Sequence, residues 1–285
     1  MDYEVVIPAA AKDYNKLPYL FESLHYLTPK PKKINVIYDN SSFKGVFPNG
    51  YSVYEDNVLI EFIREQDVLD FNPRAAKMFR RPQWIYQQFL KLFQNITTTD
   101  DYLILDSDLI INRPLDLLDE NGKPKFFLGN DQHHVPYFKY SQDMFGFGRE
   151  YDYSFISEIM LFKKSMTHRL LGEFYMSLRH SSDYGFEYDR KYMELFFNTE
   201  GRKNAIKELY NLTCIGATDN WIPADYEIYG NFIEKLYPDM YTKVKIKTLM
   251  KGRYINQPWQ DEELEQYIEE MKGTDYDTFT AHTWI

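Results

Sequence analysis

Asp101–Pro114 reads DYLILDSDLIINRP. The apolar run Tyr102–Leu105 meets Asp106-Ser107-Asp108 head on, and Leu109-Ile110-Ile111 follow at once. A strand this apolar belongs to a sheet covered on both faces, where two carboxylates have no structural use. Two acids at spacing i, i+2 on a strand edge or tight turn can instead share a hard divalent cation, which offsets their repulsion and leaves open positions for diphosphate oxygens. The competing reading is a helix cap or an exposed turn, since a chain with 43 acidic residues contains Asp-x-Asp triplets by chance. The apolar flanks on both sides favour the metal reading.

The elements around this stretch give the fold class. Glu4–Ala11 reads as a buried strand ending in small residues, and Tyr14–Leu27 as a helix stopped by Pro29 and Pro31. Lys33–Tyr38 and Val58–Ile63 are further apolar strands, Gln83–Phe93 is an amphipathic helix, and Lys125–Leu128 is a short strand after the acidic triplet. Such alternation predicts an α/β fold with a mostly parallel, Rossmann-like central sheet flanked by helices. Ligands bind beyond the carboxyl ends of such strands, where Ala9–Asp13, Asp39–Ser42 and Asp106–Asp108 all fall. Further on, Asn130–Tyr153 reads as a long functional loop and Phe155–Lys163 as a strand. Helices are expected over Thr167–Leu178, Asp183–Phe197, Lys203–Tyr210, Ala224–Leu236 and Glu262–Met271. With no repeat or linker, residues 1–285 read as a single domain.

Composition narrows the partners. The formal charge of −10 argues against nucleic acid or an anionic membrane surface. Cys214 is the only cysteine, which excludes an intrachain disulfide and fits a reducing, cytoplasmic setting. No signal peptide or membrane-spanning run is read, so the sequons at Asn40, Asn95 and Asn211 count as chance matches. The 25 Tyr and 21 Phe are core material first, though exposed rings also make platforms for sugars.

The strand VVIPAAAKD, the helix QWIYQQFLKL leading into LILDSD, the strand SFISEIMLFK and the stretch ADYEIYGNF before a terminal His together resemble a GT-A fold glycosyltransferase. The chain is similar to small DXD-containing members found in bacteria and large viruses. The resemblance implies a hexosyl- or pentosyltransferase with a nucleotide-sugar donor, UDP-sugar foremost, a Mn²⁺ or Mg²⁺ ion, and an oligosaccharide or glycan acceptor. It also implies a nucleotide-sugar-binding half over residues 1–128 and an acceptor-binding, catalytic half over 129–285. Ala9, Ala10, Lys12 and Asp13 would then approach the nucleoside, and Asp39 the base or ribose. Gln87 and Lys91, sharing a helix face, would reach the donor, or else form a solvated face. Asp106 and Ser107 would contact ribose or sugar. Asp106 and Asp108 would hold the metal, with His282 completing its shell; otherwise His282 is part of an exposed tail.

An inverting transfer needs a carboxylate to deprotonate the acceptor. Asp225 comes first, with a helix N-cap as its alternative role; Glu227 and then Glu158 follow, the latter an acid inside an apolar strand. His133 and His134 read as part of a polar acceptor loop. Trp84 and Trp259 read as core, and Trp221 as the best sugar platform. Two other chemistries stay open. A haloacid-dehalogenase-like phosphatase also carries Asp-x-Asp after a strand, but its pattern wants Thr where Ile110 stands. A non-enzymatic carbohydrate-binding protein would use the aromatics yet leave the buried acids unexplained.

Overall fold

The computed structural model describes residues 1–39, 52–55, 57–70, 82–93, 95–129, 134–149, 151–180, 199–254 and 256–284. In chain order the strands are β1 (Tyr3–Ala9), β2 (Leu27–Thr28), β3 (Lys33–Tyr38), β4 (Ser52–Glu55), β5 (Val58–Arg64), β6 (Asp101–Leu105), β7 (Leu109–Ile111), β8 (Leu115–Asp116), β9 (Lys125–Leu128), β10 (Ile159–Lys163), β11 (Thr242–Lys245), β12 (Thr248–Tyr254) and β13 (Thr278–Trp284). The helices are α1 (Leu17–Ser23), α2 (Glu65–Val68), α3 (Pro82–Leu92), α4 (Val135–Phe145), α5 (Lys164–His180), α6 (Thr199–Gly216), α7 (Asp225–Leu236) and α8 (Asp261–Met271). Short 3₁₀ turns at Ala11–Lys16 and Leu24–Tyr26 flank α1.

The expected mostly parallel central sheet is present, in the order β10-β6-β1-β3-β5-β4. β1 pairs in parallel with β3 and β6, and β5 in parallel with β3, while β10 and β4 close the edges antiparallel. All seven β1 residues are buried, which is why Val5–Ala9 reads as a continuous apolar run rather than an alternating one. A second sheet, β12-β13-β7, covers a smaller core around Trp259, Leu264, Tyr267 and Phe279. Among the described residues, no helix is long and apolar enough to cross a membrane.

Several boundaries differ from the expectation, and the differences build the site. The stretch Asp101–Pro114 is not one strand: the chain leaves the central sheet after Leu105 and joins the second sheet at Leu109. The Asp-Ser-Asp triplet is the turn between the two sheets, closed by Leu109 N–H donating to Asp106 O at 3.1 Å. The strand expected from Phe155 begins only at Ile159. Glu158 just before it has φ 62, a left-handed conformation that takes its side chain out of the strand pattern. The expected loop over Asn130–Tyr153 contains α4, whose period was hidden by aromatic residues and which Gly146 ends at φ 73. The helix expected over Asp183–Phe197 falls within residues 181–198, outside the described residues.

The tail is a strand, not an exposed terminus. β13 lies between β12, with which it runs parallel, and β7, with which it runs antiparallel. Strands from residues beyond 128 thus pair directly with strands before it, as β10 does with β6 and β11 with β9.

α7 carries the segment before Glu158 on a close approach. A Cβ at Gly230 would stand 2.1 Å from Cγ of the fully buried Phe155 ring. Gly230→Ala should therefore lower stability by about 1–3 kcal/mol through overpacking, although Ala is the better helix former by about 1 kcal/mol. Urea denaturation measures this, and a stabilised variant would contradict the packing described.

Candidate active site

Beyond the carboxyl ends of β1 and β6 lies a cavity of about 590 Å³. Its walls come from Ala10, Lys12 and Asp13, from Trp84, Gln87, Gln88 and Lys91 on α3, from the Asp106–Asp108 turn, from Glu158, from the start of α7 and from β13.

Asp108, Glu158 and His282 form one cluster whose ligand atoms all lie within 4.8 Å of one another. His282 Nδ1 is 3.0 Å from Asp108 Oδ2, and its Nε2 is 3.0 Å from Glu158 Oε1. Backbone bonds set this spacing: Ala281 N–H donates to Asp108 O at 3.0 Å and Asp106 N–H to Glu158 O at 3.1 Å. Trp259 Nε1–H donates to His282 O at 3.0 Å. Burial would favour a neutral His282, but the two carboxylates it bonds lift it to about 11, so without a cation the ring is charged. Burial pushes Asp108 up, yet the hydrogen bond and charge of His282, then Lys16 and Lys12, hold it at about 2. For Glu158 burial wins over His282, aided by the charges of Asp108 and Asp106, and the carboxyl stands at about 7.

Glu158 Oε2 is buried and has no hydrogen-bond partner. An orphaned carboxylate oxygen beside one imidazole and a second carboxylate is a donor set that a divalent cation completes. Glu158, read from sequence as a candidate base, thus joins this set. Asp106 lies outside the trio.

Asp106 belongs to a second cluster. Lys91, only 2% exposed, has its ammonium 2.5 Å from Asp106 Oδ1 and 3.3 Å from Asp225 Oδ2. It also stands 4.6 Å from the Tyr226 ring centroid. Tyr226 OH donates to Asp106 Oδ1 at 3.0 Å. The solvated-face reading of Lys91 is therefore wrong; burial disfavours its charge, but Asp106 and Asp225 outweigh that and raise its pKa. Asp225 is not a cap either. Ala224 holds the N-cap position, and Gln88 Oε1 accepts the Asp225 N–H at 3.0 Å. Burial, opposed by Lys91 and reinforced by Asp106, raises the Asp225 carboxyl to about 6.

The other expected residues divide. Ala10, Lys12, Asp13, Gln87 and Ser107 line the cavity; Ala9 is buried at the end of β1, and Asp39 is not part of the wall. Asp13 accepts from Lys16 at 2.5 Å and from Ser107 Oγ at 3.4 Å. Glu227 is turned away. It is fully buried, accepting from Ser154 Oγ at 2.6 Å, Phe155 N–H at 3.2 Å and Asn231 Nδ2 at 3.1 Å, so it packs the core and faces no substrate. Trp221 is not a platform in this cavity: its Nε1–H donates to Asp143 and its ring tilts against Tyr140. Trp84, expected in the core, is instead in the wall, stacked near Tyr137 with centroids 6.1 Å apart. Trp259 is buried as expected. His133 is outside the described residues, and His134 packs on Tyr137. Lys16, Tyr226 and Thr283 were missed, because only their tertiary partners reveal them.

The chain belongs to DUF6492, a family of unknown function, whose model matches residues 2–173. No curated protein matches it. Among solved structures, the galactosyltransferase LgtC in complex with donor and acceptor sugar analogs aligns over 98% of this chain and 86% of its own, at 12% identity and TM-score 0.40. Mouse xyloside xylosyltransferase 1 aligns over 98% and 97%, at 11% identity and TM-score 0.41. The glycosyltransferase GlyE of Streptococcus pneumoniae TIGR4 aligns over 98% of this chain but 54% of its own, at 14% identity and TM-score 0.38. Likeness at this level carries no statement about activity.

Glu227 gives a stability prediction separate from the cavity. Burial raises its carboxyl to about 7 against Ser154, Phe155 and Asn231, so the folded state holds a proton that the unfolded chain releases near pH 4.5. That contribution is complete below the unfolded value and disappears as pH rises through about 7, at up to about 1.4 kcal/mol per pH unit. Urea denaturation from pH 5 to 8 should show this loss in the wild type and a flatter profile in Glu227→Gln. Parallel profiles would contradict it.

Proposed function

For this member of the family we propose metal-dependent transfer of a sugar from a nucleoside diphosphate, UDP-sugar foremost, to a hydroxyl of a glycan, on a GT-A scaffold. The observation that carries the reading is the Asp108–Glu158–His282 trio, with its orphaned carboxylate oxygen, at the wall of a cavity beyond the carboxyl ends of parallel strands. A Mn²⁺ or Mg²⁺ ion held there would neutralise the donor diphosphate as a Lewis acid. The phosphatase reading lacks support of this kind, because its nucleophile would be Asp106, whose Oδ1 is engaged by both Lys91 and Tyr226.

The chain's own groups divide the remaining work. Asp106, fixed through Oδ1, keeps its second oxygen for a donor hydroxyl. Asp225 serves as the base of an inverting transfer: the acceptor oxygen bonds to the anomeric carbon, its proton passes to Asp225, and the bond to the diphosphate breaks with its electron pair leaving on the nucleotide. Lys91 holds Asp106 and Asp225 together so that donor and base share one frame. Trp84 and Tyr137 offer aromatic faces to a sugar ring at the cavity wall.

Asp108→Asn and His282→Gln should each weaken nucleotide binding in the presence of Mn²⁺ by ~10-fold or more. Point substitutions are the proper test, since removing the tail would remove a central strand of the second sheet. Equal UDP and GDP affinity of the wild type with and without Mn²⁺, by calorimetry, would sink the metal reading.

Asp225→Asn should bind donor normally but lose ~10²–10⁴-fold in transfer. In the wild type the rate should rise with pH through about 6, as Asp225 ionises; the variant should lack that limb. Undiminished transfer in Asp225→Asn would point to a retaining mechanism in which this acid is not a base.

A further inference from the structure

The cations around the cavity are not equivalent. Lys91 stands between Asp106 and Asp225, and His282 between Asp108 and Glu158. Lys16, buried behind the wall, is 2.5 Å from Asp13 Oδ1 and donates to Thr283 Oγ1 at 2.9 Å. Lys12 is different. It lines the cavity, is half-buried, and donates to the backbone carbonyl of Thr283, pairing with no carboxylate among the described residues.

Its position follows from the 3₁₀ turn Ala11–Lys16, which places Lys12 and Lys16 on the two oxygens of Thr283 at the end of β13. Thr283 directly follows His282, so Lys12 sits beside the metal trio, and its charge acts on both Asp108 and Asp13. An ammonium has three donors and Thr283 uses one. A half-buried cation with spare donors and no carboxylate in ion-pair contact among the described residues, at the wall of a cavity that five carboxylates also line, is a place for an incoming anion.

We propose that Lys12 is the phosphate-binding cation of this cavity, taking the terminal phosphate of the donor diphosphate next to the Asp108–Glu158–His282 trio. The assignment rests on the nucleoside-diphosphate reading above. As the bond between anomeric carbon and phosphate oxygen breaks, the electron pair remains on that oxygen and the leaving diphosphate gains one negative charge. Lys12 stabilises this charge by hydrogen bonding and keeps its own proton, while the acceptor's proton goes to Asp225.

Calorimetry on the full chain separates this role from mere docking of β13. Mn²⁺ alone, then UDP, UMP, GDP and GMP with Mn²⁺, are titrated into wild type, Lys12→Met and Lys12→Arg. Lys12→Met should lose ~10–100-fold in affinity for the diphosphate that binds the wild type, the range of a charge-assisted hydrogen bond. Affinity for Mn²⁺ alone and for the monophosphate should stay within about 3-fold, and Lys12→Arg should recover part of the loss. Unchanged diphosphate affinity in Lys12→Met overturns the assignment, as does an equal loss for Mn²⁺, mono- and diphosphate, which marks a structural anchor. A wild type that binds neither UDP nor GDP overturns the donor reading itself, and this assignment with it.

Discussion

Five carboxylates, those of Asp13, Asp106, Asp108, Glu158 and Asp225, face one cavity, and all but Asp106 are buried. Burying like charges together is costly unless each is paired or protonated. The surrounding structure answers that constraint cation by cation: Lys16 against Asp13, Lys91 against Asp106 and Asp225, His282 against Asp108 and Glu158. The pairing is incomplete. Glu158 and Asp225 remain raised to about 7 and about 6 by burial, and Glu158 Oε2 has no partner. A site short of positive charge in this way could hold a divalent ion, as the proposed function requires.

The same pairs explain the topology around the site. Lys91 can reach both Asp106 and Asp225 only because α3 and α7 pack together, with Gln88 accepting the first backbone N–H of α7. His282 reaches Asp108 only because β13 inserts between β12 and β7 and bonds the backbone of Asp108 directly. The two sheets meet at the Asp106–Asp108 turn, so central sheet, second sheet and both helices all register on three consecutive residues.

The sequence made β6 and its triplet legible for a clear reason: an apolar strand buried on both faces gives its acids no structural task. Lys33–Tyr38 and Lys125–Leu128 were legible to the residue, being short apolar runs between polar ends. What could not be read was the outcome of contacts across long separations. Glu227 ranks ahead of Glu158 in sequence, yet Ser154 and Asn231 consume the first, while a left-handed backbone turns the second toward His282. Asp225 looks like a cap because Asp favours caps, but Ala224 holds that position and Gln88 takes the Asp225 N–H. The Thr-rich tail gives little apolar pattern, because Thr278 and Thr280 are buried polar residues whose strand is specified by its neighbours.

One consequence is that the Asp108–Glu158–His282 cluster and the tail strand are a single unit. The residues matched by the family model end at 173, so they include Lys91, Asp106, Asp108 and Glu158 but neither Asp225 nor His282. The later residues complete each cluster by docking onto the earlier ones. Docking β13 brings the imidazole to the two acids, and its backbone bond at Ala281 holds the Asp108 turn in place. A ligand that binds only the docked arrangement stabilises it by mass action. An ion bridging Asp108, Glu158 and His282 would tie the last strand to the central sheet, and so couple occupancy of the site to completion of the fold.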